Sequence, residues 1–217
     1  MEAIRALMVA KRTARAQRTQ TICQARALIV TGPDGIRTRF TGQTPAGLVA
    51  ELAALRPRPG SMVRYHTLLA LREPGRRACY LDGQLARLDE LITPLVTARA
   101  PGPLSLFGAG PDTAAMLLIA AGDHPGRLRS EAAWARLCAA APIPASSGKV
   151  ARRRLNRGGG RQASHALWQI VITRMGSHPP NRAYLARRSK EGLSKPEIIR
   201  CPKRYAARET YRHLRPR

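Results

Sequence analysis

The chain has 217 residues, 44% of them hydrophobic but only 4% aromatic, and its 38 Lys and Arg against 13 Asp and Glu leave a net charge of +25. That length admits one or two domains with a sizeable core. Leu, Ala, Ile and Val with few aromatics favour packed helices over a strand sandwich. The charge argues against an acidic partner-repelling surface and names a polyanion, nucleic acid first, as partner. It runs the length of the chain, whereas a membrane anchor would concentrate it. The longest apolar run, Ala114 to Ala121, is far short of the roughly 20 residues that span a bilayer. No membrane partner is therefore expected. Cys23, Cys79, Cys138 and Cys201 lie far apart without C-x-x-C spacing, which speaks against zinc and for buried, reduced thiols.

Residues 2–30 read as one long helix with an apolar stripe through Ile4, Leu7, Met8, Ile22, Leu28 and Ile29. Thr31-Gly32-Pro33-Asp34-Gly35 predicts a turn. Thr44-Pro45 gives a helix start with Thr44 as N-cap, and that helix runs to about Leu55. Ser61 opens a second long stripe, which Pro74-Gly75 should kink or split. The two long helices are suited to an antiparallel hairpin. Ala100-Pro101-Gly102-Pro103 marks the boundary between a helical, coiled-coil-like region (1–99) and a second domain (100–217).

Gly108-Ala109-Gly110-Pro111 then opens a helix. Free amides at such a turn suit a phosphate, as in a helix-hairpin-helix unit, and they equally suit a tight turn between helices. Ser130-Glu131 begins another helix. Helices are also expected from Arg161 to about Met175, from Asn181 to Lys190, and from Ser194-Lys195-Pro196-Glu197 onward, the last weakened by Pro202. The overall expectation is an all-α fold.

Between Pro142 and Gln162 the pattern changes. Two prolines stop the preceding helix, Ser146-Ser147-Gly148-Lys149 follow, and a cationic run with Arg152, Arg153, Arg154 and Arg157 ends in three glycines before Arg161. Such a loop can hold a hydroxyl beside positive charge and suits a phosphodiester. Composition alone favours the plainer reading, a basic surface loop that touches the nucleic-acid backbone and does no chemistry. Gly148-Lys149 lacks the earlier glycine and following hydroxyl of a P-loop. No G-x-S-x-G elbow surrounds Ser146 or Ser147. The five histidines show no ligand spacing, and His165 reads as structural. The carboxylates are scattered, so a two-metal nuclease centre is not visible. A serine among arginines could attack a phosphodiester, the arginines stabilising developing charge. Nothing nearby obviously takes the proton.

Several blocks carry a resemblance: Gly108-Ala109-Gly110-Pro111-Asp112-Thr113-Ala114-Ala115; Arg129 to Cys138; Ala141-Pro142-Ile143-Pro144-Ala145-Ser146-Ser147-Gly148-Lys149; Leu155-Asn156-Arg157-Gly158-Gly159; and Glu197 to Cys201 with Lys203-Arg204-Tyr205. In this order they resemble the C-terminal domain of a bacterial insertion-sequence transposase family. Its full-length members join a RuvC-like DEDD domain, a coiled-coil linker and a serine-bearing domain, and choose DNA with a bridge RNA. Residues 2–99 resemble the linker more loosely. The resemblance implies Ser147, which stands before glycine in the P-x-P-x-x-S-G block, as a nucleophile that forms a phosphoserine link to DNA.

From the turn amides and the cationic loop themselves, Gly108, Gly110, Lys149, Arg152, Arg153, Arg154, Arg157 and Arg161 are the expected nucleic-acid contacts. The resemblance implies DNA, a bridge-type guide RNA, and a second copy or a full-length transposase as partners, in the bacterial cytoplasm near the nucleoid. The metal-binding carboxylates, and the Mg they hold, belong to the DEDD domain, so no cofactor is expected within these residues. The chain reads as an N-terminally truncated copy, inactive alone. The alternative is a non-enzymatic basic DNA- or RNA-binding protein in which Ser147 is only a loop residue.

Overall fold

A computed structural model describes residues 1–123, 128–144, 146, 148, 153–154, 156 and 158–214. The fold is all-α, 77% helical. In chain order the helices are α1 (Glu2–Thr31), α2 (Asp34–Phe40), α3 (Pro45–Ala53), α4 (Met62–Arg99), α5 (Pro101–Leu104), α6 (Pro111–Ala121), α7 (Glu131–Leu137), α8 (Arg161–Ser177), α9 (Pro179–Lys190) and α10 (Lys195–Leu214). Two short strands, β1 (Ile143–Pro144) and β2 (Arg153–Arg154), lie between α7 and α8. The chain divides into two compact units, Val9–Leu91 and Met1–Met8 with Ile92–Arg217.

In the unit Val9–Leu91, α1 and α4 run antiparallel. Lys11 pairs with Asp89, and Arg18 pairs with Asp82, its Nη2 lying 3.1 Å from Oδ2. Lys11 is buried against an exposed Asp89, and Arg18 and Asp82 are half-buried, so the two pairs fix the register of α1 against α4. The cohesion comes from the shared apolar seam. Ala25 and Ile29 of α1, Ile36 and Phe40 of α2, Leu48 and Leu52 of α3, and Leu68 and Leu71 of α4 form one buried cluster. Thr44 caps α3, its hydroxyl accepting from the Gly47 amide at 3.2 Å with Pro45 at the first helical position.

Two expectations are corrected in part in this unit. The stretch expected as a turn is helical from Asp34, because Ile36 and Phe40 find a buried face. Pro74-Gly75 does not split α4, which continues from Met62 to Arg99. Proline removes one amide from the helix ladder. Gly75 makes room for α3: a Cβ there would lie 2.5 Å from the Ala53 nitrogen and 2.6 Å from the Leu52 carbonyl carbon. Leu71 and Ala78, on the same face of α4, are fully buried.

In the other unit, α8 packs against α6, α9 and α10, and α10 packs against α5, α7 and α9. Trp134, Leu167, Ile170 and Val171 are completely buried in the cluster they share with Ala206 and Ala207. The Trp134 indole donates to the Thr210 hydroxyl at 3.1 Å, and the Tyr211 hydroxyl donates to the Leu128 carbonyl at 3.2 Å. Arg174 is a buried cation that ties two elements to α8. Its Nε donates to the Phe107 carbonyl at 2.8 Å and its Nη2 lies 2.7 Å from Glu209 Oε2.

At the start of α10 Glu197 reaches back to cap the chain, its Oε2 accepting from the Ser194 amide at 3.0 Å and from the Ser194 hydroxyl at 2.6 Å. Pro202, expected to weaken this helix, is buried within it. The thiols depart from expectation. All four cysteines are free, but only Cys138 is buried, while Cys23, Cys79 and Cys201 are exposed. Burial pushes the Cys138 thiol up to about 12, against the opposing pull of Lys203.

Candidate nucleic-acid interface

The region begins at the end of α7. Ser130 caps its start, accepting from the Ala133 amide at 3.1 Å. At its end the Ala139 amide bonds the Arg136 carbonyl and the Ala140 amide bonds the Ala135 carbonyl, at 3.0 and 2.8 Å, the pattern of a Schellman motif. The residue that turns left-handed is Ala139, with φ of 52°, where glycine is the usual choice.

The turn after β2 docks onto this same helix end. Asn156 folds its side chain inward: Nδ2 donates to the Arg136 carbonyl at 3.3 Å while Oδ1 accepts from the Gly158 amide at 2.9 Å. The Gly160 amide donates to the Leu137 carbonyl at 2.7 Å. Gly159 permits the approach, since a Cβ would fall 2.4 Å from the Ala139 nitrogen and 2.7 Å from the Arg136 oxygen. The Asn156-to-Gly160 segment is thus a clamp on the last carbonyls of α7, and it starts α8.

Upstream of the clamp, β1 and β2 pair antiparallel, Ile143 opposite Arg154 and Pro144 opposite Arg153. This pairing ties the Pro142-Ile143-Pro144 segment to the cationic run. Ser146 and Gly148 are exposed, and Gly148 has a φ of 55°. Ser147, Lys149, Arg152 and Arg157 lie outside the described residues, and Arg153 is described only as a strand residue. Arg154 and Arg161 are exposed.

Gly108 and Gly110 precede α6, and Gly108 packs on a part of α8 away from Arg161. Gly108 has a φ of 83°, and a Cβ on it would meet the Ile170 oxygen at 3.0 Å. Its contacts on α8, Ile170 to Arg174, fall nine to thirteen residues beyond Arg161, which is roughly 14–20 Å along the helix axis. Gly108 is therefore required by the turn and by its packing on α8. Gly110 is the N-cap of α6 and has open space around it.

Residues not singled out from the sequence complete the site. A cavity of about 290 Å³ is lined by Ala139, Ala140, Ala141 and Pro142 and walled by Arg154, Asn156, Arg200, Cys201, Lys203 and Arg204. Its floor is apolar and its wall cationic. Lys203 is half-buried and donates from Nζ to the Ser164 hydroxyl at 2.6 Å; desolvation lowers its ammonium below the ordinary lysine range. Arg204 is partly committed to Glu131, its Nη1 approaching Oε1 to 2.5 Å off the hydrogen-bonding axis, while Arg208 Nε lies 3.2 Å from Oε2. Spacing carried a hint here, since Arg200, Lys203 and Arg204 share one side of a helical turn.

Desolvation alone would raise the Glu131 carboxyl, but Arg204 and Arg208 outweigh it and hold it below its ordinary value of 4.5. A depressed carboxylate stabilises the fold above the ordinary value, and the contribution is lost as pH falls through the depressed one. Glu131→Gln is therefore expected to lower the melting temperature at neutral pH and to reduce its fall below about pH 4.5. Melting curves across that range check this. Equal pH dependence in both proteins would remove Glu131 from the account.

Among the described residues no three His, Cys, Asp or Glu side chains are placed to hold a metal ion. Among them, too, no helix is long and apolar enough to cross a membrane.

Residues 104–186 match the model of the Transposase IS116/IS110/IS902 family. The matched stretch runs from the end of α5 into α9, and so includes the strand pair, the Asn156 clamp and α8. The match supports a transposase function and, with it, interaction with DNA. No curated protein matches the chain.

Proposed function

We propose that this chain, whose residues 104–186 carry a transposase-family domain, is the DNA-engaging, serine-bearing part of an insertion-sequence transposase, with Ser147 as its nucleophile. The observation that carries the reading is the family match across the segment that holds the P-x-P-x-x-S-G block. The pairing of Ile143 with Arg154 and the cation-walled cavity beside Pro142 support it, because they gather positive charge around the entrance and exit of that segment.

In the proposed step the Ser147 hydroxyl loses its proton, an Oγ–P bond forms, and one P–O bond of the phosphodiester breaks. The departing deoxyribose oxygen takes up a proton. Arginine side chains stabilise the charge that develops on the phosphoryl oxygens. A carboxylate-rich domain supplies the other half of the reaction centre, and a guide RNA and a second copy complete the assembly. Gly108 and Gly110 with Lys149, Arg152, Arg153, Arg154, Arg157 and Arg161 contact the nucleic acid.

The test is a suicide DNA substrate incubated with the chain and with the isolated DEDD domain of a full-length relative. A protein–DNA adduct that disappears in Ser147→Ala is the expected result. An adduct that persists in that variant removes Ser147 from the role. A second reading, a non-enzymatic basic nucleic-acid-binding protein, is favoured by the cavity, whose cations need no nucleophile. It is selected if DNA binds but no adduct forms under any complementation.

Binding itself has an electrostatic signature. Log affinity should fall with log salt by about 0.9 per phosphate neutralised. Arg154→Ala with Arg200→Ala should make that slope shallower by about 1–2. An unchanged slope would mean that the cavity wall does not meet phosphate.

A further inference from the structure

Helix α8 is polarised. Ala163, Ala166, Leu167, Ile170 and Val171 are all at most 1% exposed and account for its packing. On the other side, Trp168 is 42% exposed and Ile172 39%. This chain has only two tryptophans, and the other, Trp134, is fully buried. His165 stacks on Trp168 with ring centroids 5.5 Å apart and planes inclined by 16°. One turn before His165 stands exposed Arg161, about 10 Å, or two turns, from Trp168 along the axis. No carboxylate interrupts this stripe.

An exposed indole held flat by a stacked imidazole, next to a guanidinium, has the chemistry of a nucleobase platform: aromatic rings receive any base face, and cations track the phosphates. We propose that Trp168 and His165 form a stacking site for an unpaired base of single-stranded DNA, with Arg161 on an adjacent phosphate. The inference rests on the DNA-binding reading above and adds a preference to it. Bases inside a duplex are already stacked on each other and cannot use the platform. The net charge of +25 favours a polyanionic strand over a protein surface as the occupant.

The two tryptophans make the test direct. Trp168→Phe leaves only the buried Trp134 to fluoresce and supplies the background. The full chain is titrated with a short single strand, with an abasic strand of the same length, and with a duplex. The expected result is quenching of Trp168 by the base-bearing strand and little by the abasic one. Trp168→Ala should weaken the base-bearing single strand by about five- to hundredfold and leave duplex affinity unchanged. Equal quenching by the abasic strand would overturn the inference while DNA binding stood. So would a Trp168→Ala protein that keeps its single-strand affinity and only changes its oligomeric state. If wild type binds none of the three probes, the DNA-binding reading falls and this inference with it.

Discussion

A methyl group added at Gly159 is expected to lower the melting temperature by about 5–10 °C and to weaken nucleic-acid binding with it. The added Cβ would sit 2.4 Å from the Ala139 nitrogen, 2.7 Å from the Ala139 Cβ and 2.7 Å from the Arg136 oxygen. Two of those three atoms are backbone, so no side chain can swing aside. Relief requires the 156–160 segment to lift off α7. That would break the Asn156 and Gly160 hydrogen bonds to the Arg136 and Leu137 carbonyls. It would also shift β2, and with it Arg154 on the cavity wall. Gly158→Ala is the matched control, since the nearest atom to its Cβ, Asn156 Oδ1, is 3.5 Å away. Its melting temperature should stay within about 2 °C of wild type. Thermal unfolding of the two variants, followed by a DNA titration, checks the pair. Indistinguishable curves for the two would show that the clamp is not seated in solution.

The second large effect is a change of sign within one helix. Gly75→Ala in α4 should destabilise by about 1–3 kcal/mol, because its Cβ would lie 2.5 Å from the Ala53 nitrogen and 2.6 Å from the Leu52 Cβ, pushing α3 away. Gly83→Ala, two turns later in the same helix, should stabilise by about 0.5–1 kcal/mol. There the nearest neighbour is the far end of Arg87 at 3.5 Å, and alanine costs less helix entropy than glycine. Denaturant unfolding of the two single variants is the measurement. If both stabilise, α3 is not packed against Gly75, and the glycine is only a weak point in the helix.

These positions also show what the sequence can and cannot reveal. The long helices were legible because their apolar residues recur along one stripe, and Thr44-Pro45, Ser130 and Ser194 announce their helices by capping chemistry that depends on neighbours in sequence. The split expected at Pro74 does not occur, because a local rule charges proline for its missing amide without seeing the packing around it. Gly75 looked like a breaker; its reason is α3, which crosses it in space. Helix α2 was missed because Pro33-Asp34-Gly35 signals a turn more strongly than Ile36 and Phe40 signal a buried face.

At the site, Arg154 and Arg161 could be picked from the density of charge. Arg200 and Lys203 could not be assigned to the same wall without knowing which face of α10 turns toward Pro142. Asn156 reads as an ordinary polar loop residue until its two hydrogen bonds to helix and turn are seen. Ser147 stands apart from Ser146 by resemblance alone.

One wall residue has a practical consequence. Cys201 lines the cavity and is exposed, whereas burial holds Cys138 as an unreactive thiol. Once Cys23 and Cys79 are changed to serine, a maleimide reagent would label the cavity wall at a native position. The label could then report occupancy of the cavity, and purification without a reductant would risk cross-linking molecules through the same face.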